Sequence, residues 1–428
     1  MPVTTGFRGK LVSLFKNKEI RDKIFFSLFI LLVFRIMAAV PVPGFPLDAL
    51  KDLFGGNRFG EVLSMVSGGV LENATLVAIG LGPYINASII FQLLGSIVPK
   101  IEELQKEGAQ GRKVISMYTR LLTVPLAILQ SFVIYSLLRR PDINIIPEPL
   151  ATLDLANLVL SLTAGAVIMM WMGELITEMG LGNGTSFLIS AGILASIPGS
   201  LKASVALLNS TEVMLLVIAA FILIFVVVFF TQAERHIPIQ YARRVRSVGA
   251  AAESHIPIKL NQSGVMPVIF AISLLSFPQL MAQFFTGPNM PALLNNAALW
   301  MMKVFEDQWI HNGVLFIMIV GFSFFYTFVV FNPANVSENL QKQAAFVPGV
   351  RPGGQTEKYL RTSALRLAIL GSIFLAVVAI LPSIASDVGI ISSAVISGTG
   401  LLIVVGTSLD MKRQAESMVV TRSYESYL

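Results

Sequence analysis

The side chains able to do covalent or metal chemistry are few and scattered in this chain of 428 residues. It contains no cysteine, which removes disulfides, thiolate nucleophiles and cysteine-ligated metals together. The three histidines, His236, His255 and His311, fall outside the apolar runs, and no H-E-x-x-H spacing sets two of them on one helix face as zinc ligands. Serines and aspartates occur, yet a hydrolase working inside a membrane needs a base beside them, and no histidine lies in a span. A Gly-x-x-x-x-Gly-Lys phosphate loop is missing too. The residues therefore predict no enzyme, no catalytic residue, no metal site and no cofactor. The chemistry left to them is non-covalent.

The elements that must position such residues are membrane spans. Hydrophobic residues make up 54% of the chain and charged residues only 13%, with a mean hydropathy of +0.74, far from the soluble range. Apolar runs of about 20 residues, enough to cross ~30 Å of hydrocarbon, fall at about 24–40, 75–98, 115–138, 153–177, 185–207, 213–232, 265–285, 313–332, 364–386 and 391–409. The first follows Lys16, Lys18, Arg21 and Lys23 and ends near Ala38-Ala39, in the outline of a signal peptide, but Arg35 inside it and the many later spans make it a retained helix. Ten spans put both termini on one side. With the N-terminus inside, that side collects Lys100, Lys106, Arg112, Lys113, Arg235, Arg243, Arg244, Arg246, Lys259, Arg351 and Lys412, while the other keeps only Lys51, Arg58, Arg139, Arg140, Lys202 and Lys303. The positive-inside rule then makes both termini cytoplasmic.

One stretch does not read as a simple span. Phe59 to Val98 is apolar but too long, and it is broken at Gly68-Gly69, Glu72-Asn73, Gly80, Gly82 and Pro83. Backbone freed by glycine and proline at membrane depth survives only where protein covers it or where it lines a watery cavity. The stretch is thus expected to form a short half-inserted segment followed by a full helix, both facing an internal passage. Leu81 and Ile85 lie one helical turn apart, with Gln92 seven residues further on nearly the same stripe. Ile189 and Ile193 repeat the one-turn spacing among Ser186, Ser190, Ala191 and Gly192. Small residues let helices approach closely, and branched ones between them can narrow a passage.

Two inner loops are long for a compact bundle, about 233–262 and 333–361. The first alternates apolar and polar residues on both sides of Arg243-Arg244-Val245-Arg246, which predicts a hairpin of extended strands. The second carries Pro348-Gly349 and Pro352-Gly353-Gly354 turns around Arg351. Arg243, Arg244, Arg246 and Arg351 suit an acidic or RNA-bearing cytosolic partner.

Several blocks together resemble one family. GLGPYINASIIFQLL (Gly80 to Leu94), KEGAQGRKVISMYTR (Lys106 to Arg120), GLGNGTSFLISAGI (Gly180 to Ile193), HIPIKLNQSGVMPVIFA (His255 to Ala271), FFYTFVVFNP (Phe324 to Pro333), ENLQKQAAFVPGVRPGGQT (Glu338 to Thr356) and SYES (Ser423 to Ser426) look like the SecY family, in order and nearly end to end. That family is the central subunit of the bacterial Sec protein-conducting channel. The resemblance implies an all-α membrane protein of ten transmembrane helices in two inverted pseudo-symmetric five-helix halves, 1–208 and 209–428. It implies a pore ring of Leu81, Ile85, Ile189, Ile193, Ile269 and Ile403, where Leu81 departs from the usual isoleucine or valine. A plug at about 58–73 would include Phe59, Val62, Met65, Gly68 and Gly69, and a lateral gate would use Gln92 and Gln130. Implied partners are the small membrane subunits SecE and SecG, the SecA motor ATPase, the ribosome, an unfolded preprotein with its signal sequence and the lipid bilayer of the bacterial cytoplasmic membrane. SecA or the ribosome would dock at Arg243, Arg244, Arg246 and Arg351.

The physics is consistent with that assignment. A channel for unfolded chains must pass any side chain and still resist ions, so flexible aliphatic residues that dewet when closed make a better lining than a charged filter. A secondary transporter of a small solute is the rival, since it also uses inverted repeats and broken helices. It would need carboxylates at the midplane, where this chain offers mostly Ile, Leu, Val, Gly and Ser. The charges in or near spans are chiefly Arg35, Arg120, Glu174 and Glu178.

Overall fold

The computed structural model describes residues 18–42, 75–139, 151–205, 209–241, 255–286, 291–387 and 398–425. In chain order its elements are α1 (Lys18–Met37), α2 (Gly82–Ile97), α3 (Pro99–Lys106), α4 (Ala109–Leu138), α5 (Thr152–Met179), α6 (Gly184–Val205) and α7 (Ser210–Gln232). Strands β1 (Glu234–Pro238), β2 (Gln240–Tyr241) and β3 (His255–Lys259) follow, then α8 (Met266–Phe285), α9 (Ala292–Glu306), α10 (Gln308–Val330), α11 (Pro333–Lys342), β4 (Ala345–Phe346), α12 (Gly354–Asp387) and α13 (Gly398–Glu425). Every one of the ten apolar runs has a helix over it. Among the described residues five helical segments are by themselves long and apolar enough to cross a bilayer, and α2 with α3, bent by 101° at the break, form either a broken span or a re-entrant loop. The chain is a multi-pass membrane protein.

The boundaries differ from the hydropathy pattern where backbone chemistry overrides it. The second span does not begin at 75: residues 76–81 form turns, Gly80 takes φ +62°, and Pro83 near the helix start lets α2 begin only at Gly82. Pro99 then starts α3 after an extended Val98, because proline disfavours helical backbone in the residue before it. α12 starts at Gly354 and α13 runs to Glu425, both well past their apolar runs. Hydropathy marks where lipid ends, and a helix with its own hydrogen bonds continues into water. The short helices α3, α9 and α11 were not foreseen, because polar or brief amphipathic segments give no span signal.

Two compact units emerge: Met1–Ala203 with Ile272–Asn312 and Thr407–Leu428, and Ser204–Ala271 with Gly313–Gly406. In the first unit, α2 packs on α4 and α5, α4 on α5, and α1 on α5. Glycine lets these backbones close up: a Cβ at Gly165 of α5 would collide with the Leu76 carbonyl.

In the second unit α7 packs on α12, with Phe230 stacked on Phe374 at 4.0 Å between ring centroids. Phe221, Phe225 and Phe229, four residues apart along α7, are exposed, as a lipid-facing stripe should be. The hairpin expected from alternation is present. β1 and β3 pair antiparallel from Glu234 opposite Lys259 to Pro238 opposite His255. Its inward residues Ile237 and Ile258 join Phe331, Leu340, Ala345, Val347, Leu360 and Ala364 in one apolar core, and β2 pairs with β4, Gln240 opposite Phe346. The described parts of the two long loops are therefore one packed module.

Candidate functional site

The entry into α2 is held by backbone contacts. The Leu76 N–H donates to the Val40 carbonyl at 3.0 Å, and the Ala78 and Gly80 N–H groups donate back to Thr75 and Val77 at 2.9 Å each. Leu81 sits at the N-cap position, and its carbonyl accepts from the Ile85 N–H at 2.9 Å. Leu81 and Ile85 are thus one turn apart, as expected, and both are buried. The segment 58–73 lies outside the described residues, and with it Phe59, Val62, Met65, Gly68 and Gly69.

Ile189 and Ile193 sit on α6, and the turn that launches this helix is built from side-chain hydrogen bonds. A turn near the membrane must satisfy its own N–H groups. Leu181 N–H donates to Ser27 Oγ at 3.2 Å, Gly182 N–H to Gln414 Oε1 and Gly184 N–H to Thr177 Oγ1 at 2.9 Å. Asn183 Oδ1 accepts from the N–H groups of Thr185 at 3.1 Å and Ser186 at 3.2 Å, an N-cap of the preferred kind. A Cβ at Gly184 would collide with the Gly173 carbonyl, so α6 starts hard against α5. Helix α5 therefore touches both segments that present aliphatic residues, at Gly165 and at Gly173. Ile189 is buried and Ile193 half-buried.

In the other unit, Ile269 on α8 and Ile403 on α13 are buried. A Cβ at Gly406 would collide with Val265 Cγ1. Val265, whose carbonyl accepts from the Ile269 N–H at 3.3 Å, thus lies against α13 three residues from Ile403. Within each unit, small residues hold the elements that carry the aliphatic set. Gln92 and Gln130 are placed on the packed helices α2 and α4. Gln92 Nε2 donates to Ser88 Oγ at 2.9 Å, and Gln130 is buried.

Sequence reasoning noted Arg120 and Glu174 separately and missed that they pair. Arg120 Nε on α4 donates to Glu174 Oε1 on α5 at 2.8 Å, the arginine 48% and the carboxylate 12% exposed. Ser116 Oγ adds a longer bond at 3.4 Å to the same oxygen. Opposite charges in consecutive spans were a signal, but the depth match of residues 54 apart is a tertiary fact.

Arg351 is exposed at the tip of this loop module. The tip is shaped by Gly349 at φ +79° and Gly353 at φ +95°, conformations that suit glycine. Thr356 Oγ1 donates to the Arg351 carbonyl at 2.9 Å and Ser337 Oγ to the Gly353 carbonyl at 2.9 Å. The guanidinium is thus carried on a fixed backbone. Arg243, Arg244 and Arg246 lie outside the described residues.

The SecY family model matches residues 75–412. The chain belongs to the SecY family. A SecY relative, the protein translocase subunit SecY of Halalkalibacterium halodurans, is 39% identical over 431 residues, spanning 97% of this chain and 98% of the relative. Two solved structures share the fold with SecY-type architecture: a protein-conducting channel at TM-score 0.65 and 19% identity, covering 93% of this chain and 92% of its own, and Sec61 in a canine ribosome–channel complex at TM-score 0.64 and 18% identity, with the same coverage. Within the SecY match lie all six aliphatic positions, both glutamines and Arg351.

Proposed function

We infer that this chain is the channel-forming subunit of a protein translocase, moving unfolded secretory chains across the membrane and releasing membrane proteins sideways into lipid. The family match over nearly the whole described chain carries this reading. A pore ring of Leu81, Ile85, Ile189, Ile193, Ile269 and Ile403 closes the passage, with the inverted halves 1–208 and 209–428 around it. Branched, uncharged and, except for the half-buried Ile193, buried, these residues form a constriction that dewets and blocks ions, yet yields to a passing side chain. Segment 58–73 serves as the plug, and Gln92 and Gln130 belong to the lateral gate.

The chain supplies no energy of its own. A motor ATPase of the SecA kind or the ribosome drives it from the inner face at Arg351 and Arg243-Arg244-Arg246, SecE and SecG clamp the halves, and the membrane is the bacterial cytoplasmic one with both termini inside. The fold's likeness to a channel solved with a ribosome and the inner-side excess of Lys and Arg support this arrangement. The test is a polar ring. Ile189→Ser or Ile403→Ser, reconstituted in vesicles, is expected to raise ion leak and to let defective signal sequences through; unchanged leak with unchanged stringency would remove these residues from the seal.

A further inference from the structure

Helix α9 is a 15-residue element, ~22 Å long at the α-helical rise, in the connection between two spans. One of its faces is turned inward, with Ala298 buried and Met302 and Phe305 half-buried. The opposite face carries Leu293, Ala297 and Trp300 in line at i, i+4 and i+7, all exposed, Leu293 at 86% and Trp300 at 68%. Leu294 and Leu299, elsewhere around the helix, are exposed as well. An exposed apolar stripe of this kind marks an interaction surface.

The neighbouring geometry says what covers it. Asp307 alone separates α9 from the apolar span α10. Its carboxylate accepts from the Trp309 and Ile310 N–H groups at 2.9 and 3.2 Å, capping α10 at its first turn. The end of a span is thus pinned directly to α9. Trp309 in that first turn is 72% exposed, and Ile310 is exposed beside it. Two of the three tryptophans in the chain therefore stand within ten residues, at the point where an apolar helix leaves the bilayer. Indoles prefer that depth because the ring is apolar and its N–H finds headgroup oxygens. Lys303 is exposed in the last turn of α9, and a lysine there can keep its apolar stem along an apolar surface with its ammonium in a polar layer.

We propose that α9 is an interfacial lipid-binding helix: its Leu293–Ala297–Trp300 face lies in the headgroup layer of the bilayer, Trp300 and Trp309 form a local aromatic belt, and Lys303 contacts a lipid phosphate. The helix anchors the connection between the spans α8 and α10 at a fixed depth.

The test uses the full-length chain with Trp171→Phe and Trp309→Phe, leaving Trp300 as the sole indole, in phosphatidylcholine–phosphatidylglycerol vesicles. Acyl chains brominated near the headgroup should quench most of the Trp300 emission, those brominated near the terminal methyl far less, and aqueous iodide little. Quenching by iodide alone overturns the proposal in favour of a hydrated helix. Quenching by neither iodide nor bromolipid overturns it in favour of a protein cover, a second copy or another chain. Should that variant fail to insert, Ala297→Cys in the cysteine-free chain, spin-labelled, gives the same reading: relaxation favouring oxygen over a water-soluble paramagnetic reagent supports the interface, and the reverse preference sinks it.

Discussion

The glycines of this protein divide into those that make room for a neighbouring backbone and those that do not. At Gly165 a Cβ would strike the Leu76 carbonyl, whereas at Gly313 of α10 it would meet nothing within 4 Å. Gly165→Val is therefore expected to lower stability by ~1–3 kcal/mol, the usual cost of forcing volume into a packed site, and to push the Leu81 turn away from α5. Gly313→Ala should raise stability by ~0.4–1 kcal/mol by restricting the unfolded chain. Thermal unfolding of both variants in one detergent decides the matter, and equal midpoints would refute the close-packing account. Arg120 and Glu174 show the limit of reading residues singly. Each was visible as a charge in an apolar run, while their pairing depends on how α4 lies against α5. Asn183 was more legible than it was read, since Asn two residues before Thr185 and just before an apolar run is an N-cap signal.

Among the elements, the inner module shows the same mixture. Alternation of apolar and polar residues disclosed the β1–β3 hairpin, because strand periodicity is local. The pairing of β2 with β4 was not disclosed, since each is two residues long and they meet only after the loops fold together. Nor could spacing reveal that Ile237, Ile258 and Leu360 share one core. Leu360 is fully buried in it, so Leu360→Ala should destabilise the module by ~2–5 kcal/mol through the cavity left behind. The expected readout is faster amide exchange across β1 and β3, with the lipid-facing helices unchanged; unaltered exchange in the hairpin would show that the loops are held independently. Exposed pairs on the short helices have smaller reach. The Lys106 ammonium lies 2.7 Å from the Glu102 carboxylate and the Lys342 ammonium 2.7 Å from that of Glu338, each pair one turn apart on a single helix.

For the whole molecule, surface charge bears on orientation and association more than on folding. The formal net charge of +6 is concentrated on the side assigned to the cytosol, where a rigid tip presents Arg351. Surface charges attract partners over about a Debye length, ~10 Å at moderate salt, so this surface should act on association more than on stability. Arg351→Glu is expected to slow partner-driven export severalfold while the channel still inserts in the membrane and melts at the unchanged temperature. Export measured in inverted vesicles with the purified motor is the check, and a normal rate would remove Arg351 from the docking surface.

By itself the sequence determined that the chain lives in a membrane, roughly where it crosses, and the family to which it belongs, because hydropathy, loop charge and motif order are one-dimensional properties. It also placed Leu81 with Ile85, and Ile189 with Ile193, since one helical turn is a local distance. Only the tertiary structure decided that α2 starts at Gly82, that α5 meets both the Leu81 turn and the start of α6, that Arg120 finds Glu174 and that two distant loops share a core. Those outcomes rest on close backbone approach and on contacts between residues far apart in the chain, which no periodicity records.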